Sequence, residues 1–132
     1  MPELMEAIKP TLSAHFKPAL LARMTTVPYL PISPDAMKMI TRLKLNKLMK
    51  RLKTSQNLNA SYTDGVVDLI ASRCTEVDTG ARNIDHILRG SLIPQLSSAI
   101  LEKMVEGDLP DSVEVGVDSE SNFTTNFSMA AE

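Results

Sequence analysis

Apolar residues recur at helical spacing through the middle of the chain. Ser33 can cap a helix whose first residue is Pro34, and a run of apolar positions follows at three- and four-residue steps. These positions are Met37, Ile40, Leu45, Leu48, Met49 and Leu52. The pattern predicts a helix to about Thr54 with one buried stripe, flanked by basic side chains.

Three further helices are predicted after this one, over residues 63–74, 79–90 and 91–107. Each begins at a threonine or serine that can accept a backbone N–H bond. Gly90 is expected to stop the second of them and Gly107 the third, because glycine adopts the left-handed conformation that often follows a helix.

Alternating patterns predict three short strands. Val113–Val117 alternates apolar and polar residues, Phe123–Phe127 can pair back onto it, and Asn57–Ser61 is a third candidate. Helices packed on a short sheet of these strands make the predicted fold class α+β.

The first 34 residues differ from the rest, because they contain six of the eight prolines. Two brief helices are predicted, Glu3–Lys9 and Pro18–Arg23, the second with proline in its first turn. Thr25–Leu30 is β-rich and apolar, which predicts a strand with Pro28 at an edge or strand end. No partner strand lies nearby in the sequence, so this segment is predicted to be part of a larger domain.

Composition narrows the class of protein. The 132 residues include one cysteine, Cys74, and no tryptophan. A lone thiol cannot form an internal disulfide, so a reducing cytoplasm is the expected compartment. No apolar stretch approaches the ~20 residues that a membrane span requires.

Charge is segregated along the chain. Lys38–Lys53 carries seven basic residues and no acid, whereas the residues from Glu102 onward carry eight acids against Lys103 alone. The basic run can indicate a nucleic-acid or acidic-partner surface, or it can be a solvated face that the acidic end shields. An acidic isoelectric point near 5.7 and 4% aromatic residues count against nucleic acid.

The sequence lacks complete catalytic motifs. It contains neither a GxxxxGK[ST] loop nor a GxGxxG turn, so it offers no full phosphate cradle. His15 and His86 are far apart in sequence, and Cys74 is interpreted as an inert cysteine near a helix end.

Two arginines gain meaning from their neighbours. The run 16–23, which ends in Arg23, and the following Val27–Ile32 resemble the end of the large subdomain of the Clp/Hsp100 ATPases of the AAA+ class. In that family a phenylalanine-x-proline stretch leads to an arginine finger. Ala19 and Ala22 depart from the acid and asparagine of the general disaggregase pattern.

A second resemblance follows in the family's order. Thr79, Gly80, Ala81 and Arg82 are similar to the Gly-Ala-Arg sensor motif at the start of a lid helix. The longer run 74–88, with Asn83, Asp85 and His86 after the arginine, resembles the ClpV branch, the Clp ATPase of type VI secretion systems.

The resemblance implies a domain organisation and a parent protein. Residues 1–32 would be a remnant of a AAA+ large subdomain, 33–127 the C-terminal small (lid) subdomain, and 128–132 a flexible tail. The parent would be a cytoplasmic, hexameric unfoldase or remodeller that disassembles type VI secretion sheaths. A general Clp disaggregase, a free-standing adaptor and a nucleic-acid-binding module are the alternatives.

The resemblance also implies roles for single residues. Arg23 would be an arginine finger acting in trans, and Arg82, with Gly80 and Ala81, would lie near the phosphates of ATP. ATP with Mg²⁺ is the implied cofactor of the full-length protein, and its site is incomplete here, so this chain alone should be inactive. The implied partners are copies of the same protein in a ring and sheath subunits bound through other regions, with no membrane.

Overall fold

A computed structural model describes residues 2–75, 80–107 and 109–129. The chain divides into two compact units, and the boundary lies between Pro31 and Ile32. Each unit is described separately below.

The first unit contains helix α1 (Pro2–His15) and the short helix α2 (Pro18–Leu21). Helix α1 is longer than predicted and continues through Pro10, whose missing N–H removes one backbone hydrogen bond. None of residues 2–31 is buried. This unit therefore contains short helices without a closed core of its own.

The strand predicted at Thr25–Leu30 is wrong. Residues 24–33 are all described, and they have no regular secondary structure. A strand needs a neighbour to receive its backbone hydrogen bonds, and the described strands all lie after Ile32. High β propensity was therefore not sufficient to form a strand there.

The second unit begins with helix α3 (Pro34–Gln56), as predicted. The Ser33 side chain accepts a hydrogen bond from the backbone N–H of Ala36 at 3.2 Å, and Asn57 ends the helix in the left-handed conformation. The helix buries one stripe at four-residue steps: Met37, Thr41, Leu45 and Met49. The Thr41 hydroxyl is satisfied because it donates to the Met37 carbonyl at 2.8 Å.

Strand β1 (Asn59–Tyr62) and helix α4 (Asp64–Thr75) come next and confirm the predicted strand and helix. Five residues of α4 are buried against the core: Val66, Val67, Ile70, Ala71 and Cys74. The predicted helix start at Thr79 lies outside the described residues.

The next helical stretch corrects the prediction that Gly90 ends one helix and Ser91 begins another. Helix α5 (Arg82–Ile87) continues through a π-helical segment (Leu88–Leu92) into helix α6 (Ile93–Glu106). Buried positions recur at four-residue steps in this part of the chain: Leu88, Leu92, Leu96 and Ile100. Since an α-helix repeats every 3.6 residues, the wider π turn keeps these side chains on the core face. Gly107 ends α6 in the left-handed conformation, with φ of 82°, as predicted.

Strands β2 (Ser112–Val117) and β3 (Phe123–Ser128) complete the second unit. The described strands form one sheet in the order β1-β2-β3, in which β1 and β2 are parallel and β2 and β3 antiparallel. Val113 and Val115 are buried. The predicted α+β fold, with helices packed on a short sheet, is confirmed.

The strand edge corrects the predicted tail. Ser128 belongs to β3 and pairs with Ser112, so the flexible segment does not begin there. Residues 130–132 lie outside the described residues.

The β2–β3 hairpin is closed by a side-chain cap. One carboxylate oxygen of Asp118 accepts backbone N–H bonds from Glu120 and Asn122, both at 2.9 Å. These bonds hold the pKa of Asp118 below its usual value of 3.8, chiefly through the Asn122 N–H. Within the sheet, Gly116 is required because an added Cβ would lie 3.0 Å from the Thr124 hydroxyl oxygen.

Candidate functional site: the start of helix α5

The Gly80–Arg82 segment forms the entry to helix α5. Gly80 has a φ of 57°, in the left-handed region that favours glycine. Its carbonyl accepts the N–H of Asn83 at 3.0 Å, and the Ala81 carbonyl accepts that of Ile84 at 3.2 Å. Ala81 packs against the hydrophobic core. The turn therefore has a defined conformation set by its backbone and by one small apolar side chain.

Arg82 is the first residue of α5, and its side chain is exposed. Within the described part of the chain its guanidinium makes neither a hydrogen bond nor an ion pair. A permanently charged, planar group with free donors can bind two anionic oxygens at once. Arg82 is therefore available to a ligand or to another part of the protein.

The rest of α5 is firmly anchored. Ile84 and Ile87 are buried at 0% and 8% exposure. Asp85, one turn after Arg82, accepts two hydrogen bonds from Lys44 Nζ, at 2.9 Å to Oδ1 and 2.8 Å to Oδ2. This bridge ties α5 to α3. As a result, the backbone that carries Arg82 is held both by the core and by a half-exposed ion pair.

Asp85 is a residue whose contribution the sequence reasoning missed. It entered that reasoning only as a departure from the family pattern, and its partner Lys44 lies 41 positions earlier. The helical spacing of Asp85 from Arg82 and an uncompensated basic helix were the available signals.

Arg23 has a different setting. It follows α2 in a turn where its backbone N–H donates to the Leu20 carbonyl at 3.0 Å, and its side chain is exposed. Its guanidinium also has no partner within the described residues. The sequence-predicted site residues thus fall in both units, Arg23 in the first and Gly80, Ala81 and Arg82 in the second.

The remaining candidates are ordinary structural or surface residues. Cys74 is 1% exposed, and burial raises the pKa of its thiol above 9.0, so it stays protonated at neutral pH. His15 and His86 are both exposed. In the part of the chain that the structure describes, no three His, Cys, Asp or Glu side chains cluster as metal ligands. None of the described helices is long and apolar enough to span a membrane.

Comparison with known proteins identifies relatives of this fold. Residues 32–115 match the family described as the C-terminal, D2-small domain of ClpB protein. The chain is 43% identical to the AAA+ ATPase ClpV1 of Pseudomonas aeruginosa over 110 residues, which is 81% of this chain. It is 36% identical to the chaperone protein ClpB of Yersinia enterocolitica over 98 residues, 74% of the chain. With the ClpB of Staphylococcus aureus strain COL it is 27% identical over 124 residues, 92% of the chain.

These relatives are far longer than the region they share with the chain. The matched region is 12% of the Pseudomonas protein, 11% of the Yersinia protein and 14% of the Staphylococcus protein.

Proposed function

Because the chain belongs to the Clp ATPase family through the C-terminal, D2-small domain, we propose that it serves as the lid of a AAA+ motor. In this proposal residues 33–127 form the lid, and residues 1–32 are the last part of the preceding large subdomain. The observation that carries it is Arg82, an exposed and unpaired arginine on a helix whose next turn is fixed to the core. A lid needs such a rigid connection in order to turn a phosphate contact into motion.

Arg82 is the proposed sensor of the nucleotide phosphate. Its guanidinium would bind phosphate oxygens, while Gly80 and Ala81 set the turn that presents it. Loss of the phosphate contact would release Arg82, and since α5 is packed on the core, the whole helical unit would move with it. The chain's own contribution is therefore binding and orientation.

Arg23 is the proposed arginine finger, which would reach a nucleotide held by a neighbouring subunit of a ring. A second positive charge near the transferring phosphoryl group stabilises the charge that spreads over its oxygens. The exposure of Arg23 and its lack of a side-chain partner within the described residues support this role.

ATP with Mg²⁺ fits this chain only in part. An unpaired arginine suits a polyphosphate, but the sequence contains no phosphate-binding loop. The loop and the acids that hold Mg²⁺ would come from elsewhere in the full-length protein. Arg82 would hold the phosphates from the lid side, and the chain alone is expected not to hydrolyse ATP.

The proposed parent is a cytoplasmic hexamer that disassembles type VI secretion sheaths. Support comes from the higher identity to ClpV1, 43%, than to the ClpB of Yersinia, 36%. The run 74–88, with its Asn83–His86 continuation, points to the same branch. The specific alternative is a general protein disaggregase, since ClpB proteins are also relatives.

A chimera tests the sensor role. Residues 33–127 replace the matching segment of the Pseudomonas ClpV1, and ATP hydrolysis is compared with and without Arg82→Ala. Loss of a charge-assisted phosphate contact is expected to lower kcat by about 10- to 100-fold. Arg42→Ala, another exposed arginine of the same unit, is the matched control and should change kcat less than about twofold. Equal activities of the two variants would contradict the sensor role.

The finger role is tested in a longer chimera that begins at Phe16. Arg23→Ala is expected to lower kcat by about 10³-fold or more while binding of a fluorescent ATP analogue is retained. Lys17→Ala is the control on the same segment. Full ATPase activity of the Arg23→Ala ring would rule out the finger.

The sheath role and the disaggregase role are separated in a cell lacking its own ClpV1. If the sheath role holds, the chimera should clear fluorescent contracted sheaths and should fail to recover heat-aggregated luciferase. The opposite pair of results would favour the disaggregase.

The free-standing alternatives are tested by size. An antibody against this chain should detect a band several times larger than 14.5 kDa in a lysate of the source cells. A band at that mass would favour an adaptor or binding module.

A further inference from the structure

A groove of about 650 Å³ runs along α3 in the second unit, between this helix and the stretch from α5 to α6. Its rim carries one carboxylate and five basic side chains. The basic side chains are Lys44, Lys47, Lys50, Arg51 and Arg89. Such an excess of one charge in a concave surface focuses the electrostatic potential on an anionic partner.

Four of these five cations have no anionic partner. Lys44 pairs with Asp85 across the groove, whereas Lys47, Lys50, Arg51 and Arg89 make no ion pair within the described part of the chain. All four are exposed. The Lys44–Asp85 bridge joins the two walls, so the groove exists before a partner binds.

The floor of the groove is apolar. Leu48 of α3, Leu88 of the π segment and Ile93 of α6 line it. An adjoining groove of about 400 Å³ continues from Leu48, Arg51 and Ile93 toward the end of α3. Its walls add four more apolar side chains: Leu52, Ile100, Leu101 and Met104. Leu101 is 60% exposed and Met104 is 46% exposed, so this end is open to an apolar ligand group.

The π segment contributes to this shape. Leu88 is buried and Arg89 is exposed within the same widened turn, which places an apolar side chain and a cation in the lining of one groove. Gly90, the next residue, has no atom within 4 Å of a position where a Cβ would lie. The wall therefore leaves open space beside Arg89.

We infer that this groove binds an acidic amphipathic helix of a partner protein. The basic rim matches carboxylates on the helix flanks, and the apolar floor matches an aliphatic stripe at three- and four-residue steps. The lining spans Lys44 to Gln56, which is about 18 Å along α3, or roughly three helical turns. This binding function goes beyond the proposed lid role and does not depend on it.

The lining favours a peptide over nucleic acid. No residue that lines either groove is aromatic, so the surface offers no ring on which bases could stack. Its neutral end is aliphatic, which suits leucine-like anchors and offers phosphates no compensating contact.

The first measurement uses the full chain and a fluorescein-labelled synthetic peptide of about 14 residues, or four helical turns. The peptide consists of Glu, Leu and Ala, with leucines at three- and four-residue steps. Fluorescence anisotropy should show binding that weakens between ~50 mM and ~300 mM salt. The same peptide with every Glu replaced by Gln should bind more weakly, and absence of binding by the acidic peptide would overturn the inference.

Two variant pairs locate the binding surface. Lys47→Gln with Lys50→Gln should weaken binding about threefold to tenfold at low salt, because two rim charges are removed. Arg42→Gln with Lys53→Gln removes the same charge from exposed positions of α3 outside the groove and should change binding less than about twofold.

The apolar end has its own matched pair. Leu101→Ala should weaken binding about threefold, whereas Leu43→Ala, an exposed leucine of α3 outside both grooves, should not. Equal effects in either pair would place the peptide elsewhere and overturn the inference.

Two competing occupants are measured in parallel. A dT oligonucleotide that binds more tightly than the peptide would identify a nucleic-acid surface instead. Sedimentation of the chain alone would reveal self-association, and loss of that association in the Lys47→Gln, Lys50→Gln variant would make a second copy the occupant. Either result would overturn the peptide assignment, and neither would bear on the sensor role of Arg82.

Discussion

The two units give their arginines opposite surroundings. Arg82 begins a helix whose following turn buries Ile84 and Ile87 and is tied to α3 through Asp85. Arg23 follows a four-residue helix in a unit where none of residues 2–31 is buried. Both guanidinium groups are exposed, yet only the first stands on a backbone that a core holds in place.

This difference separates exposure from positioning. An exposed arginine is available to an anion in either setting, but a precise contact also needs a backbone that does not adjust. The second unit supplies that rigidity to Arg82 from its own residues. For Arg23, the proposed function needs additional contacts from a partner.

The largest expected effect breaks the core that distinguishes the second unit. Leu45 is fully buried, so Leu45→Ala should lower the free energy of unfolding by about 2–5 kcal/mol. Leu20 of α2 is 47% exposed, and Leu20→Ala should lower it by less than about 1 kcal/mol. Urea denaturation followed by circular dichroism measures both. Similar values for the two variants would contradict the contrast between the units.

The next effect concerns the turn that presents Arg82. Gly80→Ala should cost about 1 kcal/mol, because a Cβ disfavours its left-handed φ of 57° even where space is free. Gly90→Ala is the matched control in the helical π segment, also in open space, and should stabilise by about 0.5–1 kcal/mol. The sign of the change in thermal midpoint distinguishes the two, and a shared sign would argue against the assigned backbone conformations.

A smaller effect tests the bridge that fixes α5 to α3. Lys44 and Asp85 side chains are 39% and 46% exposed, so solvent screens their attraction. A double-mutant cycle of Lys44→Ala and Asp85→Ala should give a coupling of about 0.5 kcal/mol that declines with added salt. A coupling near zero at low salt would leave only the buried isoleucines holding α5.

The smallest expected effect is that of removing the first unit. A chain that starts at Ile32 should unfold with a free energy within about 0.5 kcal/mol of the full chain, because the second unit has its own core. Equilibrium denaturation compares the two chains. A large loss of stability would mean that residues 2–31 contribute to that core.

Local signals were sufficient for much of the fold. Ser33 and Pro34 marked the start of α3, the apolar periodicity marked its buried stripe, and Gly107 marked the end of α6. The valines of β2 indicated a strand that the structure confirms. These features depend on a few neighbouring residues, and periodicity therefore reports them directly.

Predictions failed where distant residues decide the conformation. Thr25–Leu30 has strand propensity but no partner strand, and Gly90 can end a helix but here lies inside a π segment that keeps Leu88 and Leu92 buried. The Asp85 bridge could not be read from spacing, because Lys44 lies 41 residues away.

By itself, the sequence determined the α+β class, the main helix and hairpin, and the residues on which the family resemblance rests. Only the tertiary structure decided that Arg82 stands unpaired on an anchored helix and that basic side chains from α3 and the π segment line one groove. The physical reason is range. Capping, periodicity and turn conformation are set within a few residues, whereas pairing, burial and surface charge depend on which distant side chains packing brings together.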